Sequence, residues 1–403
     1  MIRKATPVLL TPEQTPGAKS HDGATTHDRG THIPALDAVR GIAILLVLIF
    51  HFTPYGLGMS SSSPLIDRLD FLISRTGWIG VDLFFVLSGF LITGILYDAK
   101  ESNHYFRNFY VRRVLRIFPL YYGALIIFLV VLPWLRPGNP AVHSMTRDAV
   151  WYWTYLSNVR IAHNGGDFGA IGHFWSLAIE EQFYLIWPVV VLALRRRQLQ
   201  ACCLACVIGA LFVRVGLNVA GNETAAFVLT PARIDALAVG AYLALSARGP
   251  AGLNPTSRWA SPSAAFLSLV LLAIFVLRKG FVAQDLIVST VGHTLLACLF
   301  GAILVLALTS ARDSAVGGIF DSSFLSFFGR YSYALYVFHY PILFFKLGAI
   351  PLTIVPTIGG SQLLRQLVFL TMATGVSVSI ALVSWHLYEK QFLKLRKFFP
   401  YQS

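Results

Sequence analysis

The sequence contains ten apolar runs, each near the length of about 20 residues that an α-helix needs to cross a bilayer's hydrocarbon core. They lie near 36–55, 78–97, 117–135, 174–194, 199–219, 230–247, 262–279, 286–308, 327–347 and 366–388. Within lipid every backbone N–H and C=O must be paired by the chain itself, so spanning segments are helices or closed barrels. Runs this long without strand-like alternation read as helices. The fold class is therefore all-α: a polytopic integral membrane helical bundle of about ten transmembrane helices. Composition agrees, with 56% hydrophobic and 13% charged residues, which excludes a soluble enzyme, a disordered chain and a secreted disulfide scaffold. The runs at 230–247 and 327–347 are the weakest, because Arg233, Asp235 and His339 interrupt them.

Residues 1–34 are polar and read as a flexible cytoplasmic tail, without the apolar core of a signal peptide. The spans follow over 35–390, and 391–403 read as a basic cytoplasmic tail. If the N terminus is inside and the spans alternate, about twice as many Lys and Arg fall inside as outside, which supports both termini in the cytoplasm. The formal charge of +13 then reflects loops that orient helices. No soluble basic face suggests nucleic acid as a partner. Cys202, Cys203, Cys206 and Cys298 sit in apolar stretches without His, Asp or Glu beside them. They read as small apolar residues and give no metal site. Of the polar stretches after residue 35, only 136–172 is long, and its aromatic run Ala149–Leu156 suits a membrane interface.

Ionisable residues within spans are costly and point to function. Arg40 and His51 are eleven residues apart on one expected helix. At about 100° per residue they return to within about 20° of one face, about 16 Å apart along the axis. A snorkelling Arg and a His satisfied by a backbone carbonyl is the plain alternative. Arg107, Arg112, Arg113 and Arg116 precede the third span, and their helical spacing lets guanidinium groups converge, as phosphates require. The same residues would equally serve as a positive-inside anchor. His173, Ser176 and Glu180 can share a face where the fourth span begins. Arg233 and Asp235 could supply a counter-charge to Glu180 and Glu181, and a buried structural ion network is the competing reading. Asp82, Ser88 and Gly89 read as packing first and site wall second. His339 precedes Pro341, so it is either ligand-facing or a satisfied kink residue. His386 and Glu389 read as anchors.

Five segments, in order, resemble the acyltransferase 3 family of membrane O-acyltransferases. They are Leu36–Gly41 with the Arg40 to His51 spacing; Gly80–Ile92; Arg113 and Arg116 followed by Ile117, Phe118 and Pro119; Trp175, Ser176 and Leu177 with Glu180 and Phe183–Leu185; and Ser332 and Tyr333 through His339, Tyr340 and Pro341. Ala38 stands where many relatives carry Gly. The resemblance spans about 35–390 and implies transfer of an acyl group, by default acetyl, from cytoplasmic acyl-CoA to a hydroxyl acceptor. The acceptor would be a cell-envelope glycan, as in surface-polysaccharide or lipopolysaccharide O-acetylation, or a small molecule such as a macrolide. It also implies a multi-pass protein of the bacterial inner membrane, here without the hydrolase-like domain fused in some relatives.

In that reading Arg112, Arg113 and Arg116 bind the phosphates of acetyl-CoA at the cytoplasmic mouth. His51 is the general base, because a side chain with an ordinary pKa near 6.5 suits that work at neutral pH, and an acyl-histidine relay is the other option. Arg40 orients the donor or stabilises the oxyanion, and Glu180 orients His51 or binds acceptor hydroxyls. Trp175, Ser176, Asp82 and His339 are expected to contact substrate, and no metal is required. A proton-coupled secondary transporter is the rival class, since buried Arg, His and Glu would serve it equally.

Overall fold

The computed structural model describes residues 33–53, 63–138, 140–166, 169–344 and 354–401. Among these residues the regular structure is helical, apart from one isolated bridge between Ile358 and Ser361. Nine helical runs are long and apolar enough to cross a bilayer: Pro34–Phe52, Leu65–Asp98, Tyr105–Leu135, Gly172–Ala193, Arg196–Val219, Glu223–Ala247, Asn254–Leu277, Val288–Thr309 and Leu363–Phe398. The principal helices are α1 (Pro34–Phe52), α2 (Leu65–Ser74), α3 (Gly80–Asp98), α4 (Tyr105–Ile126), α5 (Trp175–Ala193), α6 (Arg196–Val219), α7 (Thr230–Ala247), α8 (Asn254–Leu277), α9 (His293–Thr309), α10 (Ser323–Arg330), α11 (Ser332–Phe344) and α12 (Leu363–Ser384).

Three expectations change. The run at 327–347 is two helices, α10 and α11, broken at Tyr331; its end beyond 344, like residues 1–32, lies outside the described residues. Tyr331 closes α10 by donating its N–H to the Phe327 carbonyl, and α11 sets off anew from Ser332. Secondly, the third span starts at Tyr105, so the arginines from Arg107 to Arg116 lie on the spanning helix itself. Thirdly, the segment after Lys390 is folded: a short helix, Lys390–Lys394, and a 3₁₀ turn, Leu395–Phe398, return the chain end onto α4.

Two close helix crossings hold the centre. A Cβ on Gly41 of α1 would strike the Leu325 carbonyl of α10, and one on Gly329 of α10 would strike the Asp37 carbonyl of α1. Likewise Gly89 of α3 lies against the Leu237 carbonyl of α7, and Gly240 of α7 against the Val86 carbonyl of α3. Only residues without a side chain let backbones approach this far, which is how helices gain dispersion contact in lipid. The helices α6 and α8, by contrast, are mostly exposed, with Phe212, Phe266, Leu269 and Leu277 facing outward, as a lipid-facing surface requires.

The close α3–α7 crossing brings charges together. Arg233 Nη2 donates to Asp82 Oδ1 at 2.6 Å, Nη1 donates to the Phe227 carbonyl at 3.0 Å, and the guanidinium stands over the rings of Phe227, Trp175 and Phe85. His293 Nδ1 is 3.7 Å from the same Asp82 oxygen. Beside this cluster, Arg214 Nη2 meets Asp235 Oδ2 at 2.8 Å and Thr294 Oγ1 at 2.5 Å in the α7–α9 seam. Asp82, Arg233, Asp235 and Arg214 are all fully buried. Arg233 and Asp235 therefore neutralise other partners and do not serve Glu180 or Glu181. A buried pair is strongly destabilised when one half is removed, by about 3–5 kcal/mol, whereas replacing both by apolar groups is often neutral. Asp82→Ala is thus expected to lower the unfolding midpoint in detergent sharply. Asp82→Leu combined with Arg233→Met is expected to restore most of it.

Candidate active site

Two arginines of α4, Arg113 and Arg116, line a cavity of about 200 Å³ between α1, α3, α4, α5 and α11. Arg40, Arg113 and Arg116 line it with Arg396 from the C-terminal segment, together with Ser88, Glu180, Glu181, Tyr184, Ser176 and Tyr336. An adjoining chamber of about 500 Å³ shares Arg40, Arg116, Ser332, Tyr333 and Arg396, and adds Asp37, Arg330, Tyr331, Trp385 and Glu389. The α1 N-terminus, the first turns of α4 and the chain end therefore meet on one face of the bundle. The helix ends joined by the Arg248–Asp98 pair and by Lys100 on the Leu194 carbonyl follow the same alternation.

The charges here are incompletely matched. Arg40 Nη1 donates to Asp37 Oδ1 at 2.8 Å. Arg113, Arg116 and Arg396 have no carboxylate within ion-pair distance among the described residues. The Nε atoms of Arg113 and Arg396 are buried without a hydrogen bond, and Arg113 is only 9% exposed. On the opposite wall Ser88 Oγ donates to Glu180 Oε1 at 2.5 Å and lies 2.6 Å from the Tyr184 hydroxyl, while Glu181 Oε1 is buried without a partner. Tyr336 also lines the cavity; its hydroxyl is 2.6 Å from Ser176 Oγ and donates to the His173 carbonyl at 3.1 Å.

Beyond Tyr336 lie three histidines. His51, near the end of α1, has Nδ1 3.0 Å from the Val47 carbonyl and 3.2 Å from His339 Nε2. His339 Nδ1 is 2.8 Å from the Tyr336 carbonyl and 3.1 Å from that of Leu335. Its ring centroid is 5.1 Å from that of His173. Pro341 has no N–H for the Val337 carbonyl four residues back, and His173 Nε2 fills that vacancy at 3.3 Å. The network assigns the tautomers. His339 Nδ1 faces only acceptors and carries its proton, so its Nε2 is a lone pair. His51 Nδ1 faces that lone pair and a carbonyl, and must donate. His51 Nε2 is then left with a lone pair, the form a general base needs.

The expected site residues fall into three sets. Arg40, Arg113, Arg116, Glu180 and Ser176 line the inner cavity. His51 and His339 lie past its Tyr336 wall and are in contact with each other. Arg112, Asp82 and Trp175 are drawn elsewhere. Arg112 donates to the Phe399 carbonyl at 2.9 Å and covers the Tyr401 ring. Asp82 is taken by Arg233, and Trp175 packs edge-on to Phe85 and under the Arg233 guanidinium. Sequence reading missed Arg396, Tyr336, Tyr184 and Trp385 as cavity residues. Only spatial folding relates Arg396 to Arg116; Tyr184 was in view, four residues after Glu180. Gly89 packs as expected, and Ser88 beside it is a polar wall of the cavity.

Comparison with known proteins decides the family. An acyltransferase domain model, that of the acyltransferase 3 family, matches residues 33–386. The chain belongs to the acyltransferase 3 family. The histidine cluster and the inner-cavity residues other than Arg396 lie within the matched region. YrhL of Bacillus subtilis, provisionally named a peptidoglycan O-acetyltransferase, is 32% identical over 348 residues, covering 79% of this chain and 49% of YrhL. The peptidoglycan O-acetyltransferase OatA of Listeria monocytogenes is 31% identical over 340 residues, covering 79% and 50%. The O-acetyltransferase OatA of Staphylococcus aureus is 27% identical over 332 residues, covering 78% and 51%. The chain thus spans about half the length of these relatives. No solved structure matches it.

Glu180, half-buried in the cavity wall, accepts the Ser88 hydroxyl. Removing a hydrogen-bond partner of a buried group costs about 1–3 kcal/mol, more when the group is charged. Ser88→Ala is expected to lower thermal stability in detergent by about that amount. The loss should be smaller in a Glu180→Gln background, and a double-mutant cycle on the two sites measures the coupling.

Proposed function

We propose that this acyltransferase moves an acetyl group from cytoplasmic acetyl-CoA to a hydroxyl of a cell-envelope glycan, with His51 as general base. The observation that carries the reading is the separation of two unlike groups along α1. At one end Arg40 lines a cavity with Arg113, Arg116 and Arg396, which have no carboxylate partner among the described residues, and eleven residues after Arg40 lies His51, whose Nε2 keeps a lone pair. Guanidinium groups left unmatched in a partly buried cavity suit a polyanionic ligand. The phosphates of a coenzyme A thioester supply that charge. Its long, less polar arm suits a cavity walled by Val81, Phe84, Leu87 and Leu91. The excess of Lys and Arg on the same side by the alternating count supports placing that face in the cytoplasm. The peptidoglycan O-acetyltransferases among the relatives support a wall glycan as acceptor and acetyl as the group moved.

In this reading His51 Nε2 takes the proton of the acceptor hydroxyl as its oxygen attacks the thioester carbonyl. The C–S bond breaks and the thiolate leaves to be protonated. His339 Nε2 accepts from His51 Nδ1–H, which stabilises the imidazolium as the charge forms. Arg40 and the arginines of α4 hold the donor, and Glu180 and Glu181 line the wall opposite them.

The test uses purified protein in liposomes with acetyl-CoA and a wall-glycan acceptor. Positioned general bases contribute about 10²–10⁴-fold, so His51→Ala is expected to reduce acceptor-dependent release of free CoA by at least about 100-fold while CoA still binds. Arg116→Gln is expected to weaken CoA binding about tenfold or more. Folded wild-type protein that neither binds nor cleaves any acyl-CoA would sink the reading and favour transport.

A further inference from the structure

The outer chamber has features that the α4 arginines alone do not explain. Four guanidinium groups, those of Arg40, Arg116, Arg330 and Arg396, face two carboxylates there, Asp37 and Glu389. Asp37 is engaged by Arg40, and Glu389 accepts from Ser384 at 2.9 Å. The chamber's rim also carries two aromatic rings, Trp385 and Tyr331, with centroids 5.7 Å apart and nearly perpendicular. Of these groups Trp385, Glu389 and Arg396 come from the C-terminal run, far in sequence from the rest of the site. The segment that carries Arg396 is fastened in place. Asn108 Nδ2 donates to the Pro400 carbonyl at 2.5 Å, Arg112 Nη1 donates to the Phe399 carbonyl, and the Arg112 guanidinium lies 4.2 Å from the centre of the Tyr401 ring. Arg113 Nη2 reaches the Tyr401 hydroxyl at 3.5 Å. Burial pushes the Tyr401 phenol up, and Arg113, Arg112 and Arg396 more than reverse this, holding it below its ordinary value.

We propose that the outer chamber is a nucleotide seat, in which Arg396 on the folded C-terminal segment grips phosphate and the Trp385 side of the rim takes the purine. The inference rests on the acyl-CoA reading and deepens it: the inner cavity receives the thioester arm, and the outer chamber receives the nucleotide. Arginine fits this work because its planar fork engages phosphate oxygens in pairs. Aromatic faces favour stacking with a base, at about 1–3 kcal/mol for one contact. Arg396 Nε is buried without a partner, so a bound phosphate satisfies an atom that the fold leaves unsatisfied.

The experiment measures binding of three probes to the full chain in phosphatidylcholine nanodiscs: CoA, adenosine 3′,5′-bisphosphate, and S-acetylpantetheine, which lacks the nucleotide. Wild type is expected to bind CoA, with the bisphosphate competing. R396Q is expected to lose about tenfold or more in affinity for CoA and for the bisphosphate, to keep its affinity for S-acetylpantetheine, and to show a shallower salt dependence. Arg396→Lys should recover part of the loss, and Trp385→Ala should weaken both nucleotide probes. Equal CoA affinity in wild type and R396Q overturns the nucleotide seat and leaves the acyl-CoA reading standing. Parallel loss for all three probes also overturns it, by making Arg396 a structural residue. Wild type that binds no CoA overturns both. Phosphatidylglycerol discs supply the remaining arm: if this anionic lipid occupies the arginines and no nucleotide binds in phosphatidylcholine, the chamber is a lipid-headgroup site.

Discussion

Hydrocarbon offers a polar group no partner, and this one constraint explains most of what the bundle buries. Arg233 and Arg214 can lie at full burial because Asp82 meets the first across the α3–α7 seam that glycine brings close, and Asp235 meets the second between α7 and α6. The Val337 carbonyl, deprived of its donor by Pro341, is met by His173. Phenols from α4 serve the short aromatic helix Ala149–Trp153 in the same way: Tyr121 and Tyr122 donate to the Tyr152 and Trp153 carbonyls. Against that background of matched groups the exceptions carry information. Arg113, Arg116, Arg396 and Glu181 line one cavity, and Arg113, Arg396 and Glu181 each keep a buried polar atom that the described residues leave without a hydrogen bond. Arg214 and Arg233 each meet a carboxylate and these arginines do not, which is the arrangement a ligand-binding cavity needs.

The same rule converts a proline into a tautomer. Pro341 holds His173 at the Val337 carbonyl, and the backbone of α11 holds His339 through its Nδ1. His339 is thereby an acceptor toward His51, and His51 is a donor toward His339. Each step is a local hydrogen-bond requirement, yet the product is a directional one: within the His51–His339 pair the free lone pair resides on His51 Nε2. Tyr336 joins the two halves of the site, since it lines the arginine cavity and donates to the carbonyl of His173.

Much of this was legible in the chain. Apolar length placed most spans within a few residues, because the requirement is nearly one-dimensional: enough residues at 1.5 Å each to cross the core. The Arg40–His51 spacing was legible for the same reason, as helix geometry alone relates the two. What sequence could not supply was pairing between helices. Arg233 and Asp235 are two residues apart and look like one unit, yet on a helix they diverge by about 200° and serve opposite seams, toward α3 and toward α6. Arg112 and Arg113 read alike by spacing, but one turns to the C-terminal segment and the other into the cavity. The break at Tyr331 was hidden too: the apolar run continues through it, and only the packing of Gly329 on α1 shows that α10 is a separate short helix.

The division of labour along α1 has a physical rationale. A polyanionic donor and a glycan hydroxyl have opposite solvation needs, and a single water-filled pocket for both would invite hydrolysis of the thioester. In the acyl-transfer reading the two are kept apart: the arginines stand beside the start of α1 and the C-terminal segment, His51 stands about three helical turns away, and the Tyr336–Ser176 contact belongs to the cavity wall. In the acyl-transfer reading only the thin reactive end of the donor needs to pass that contact, while its charges stay with the arginines.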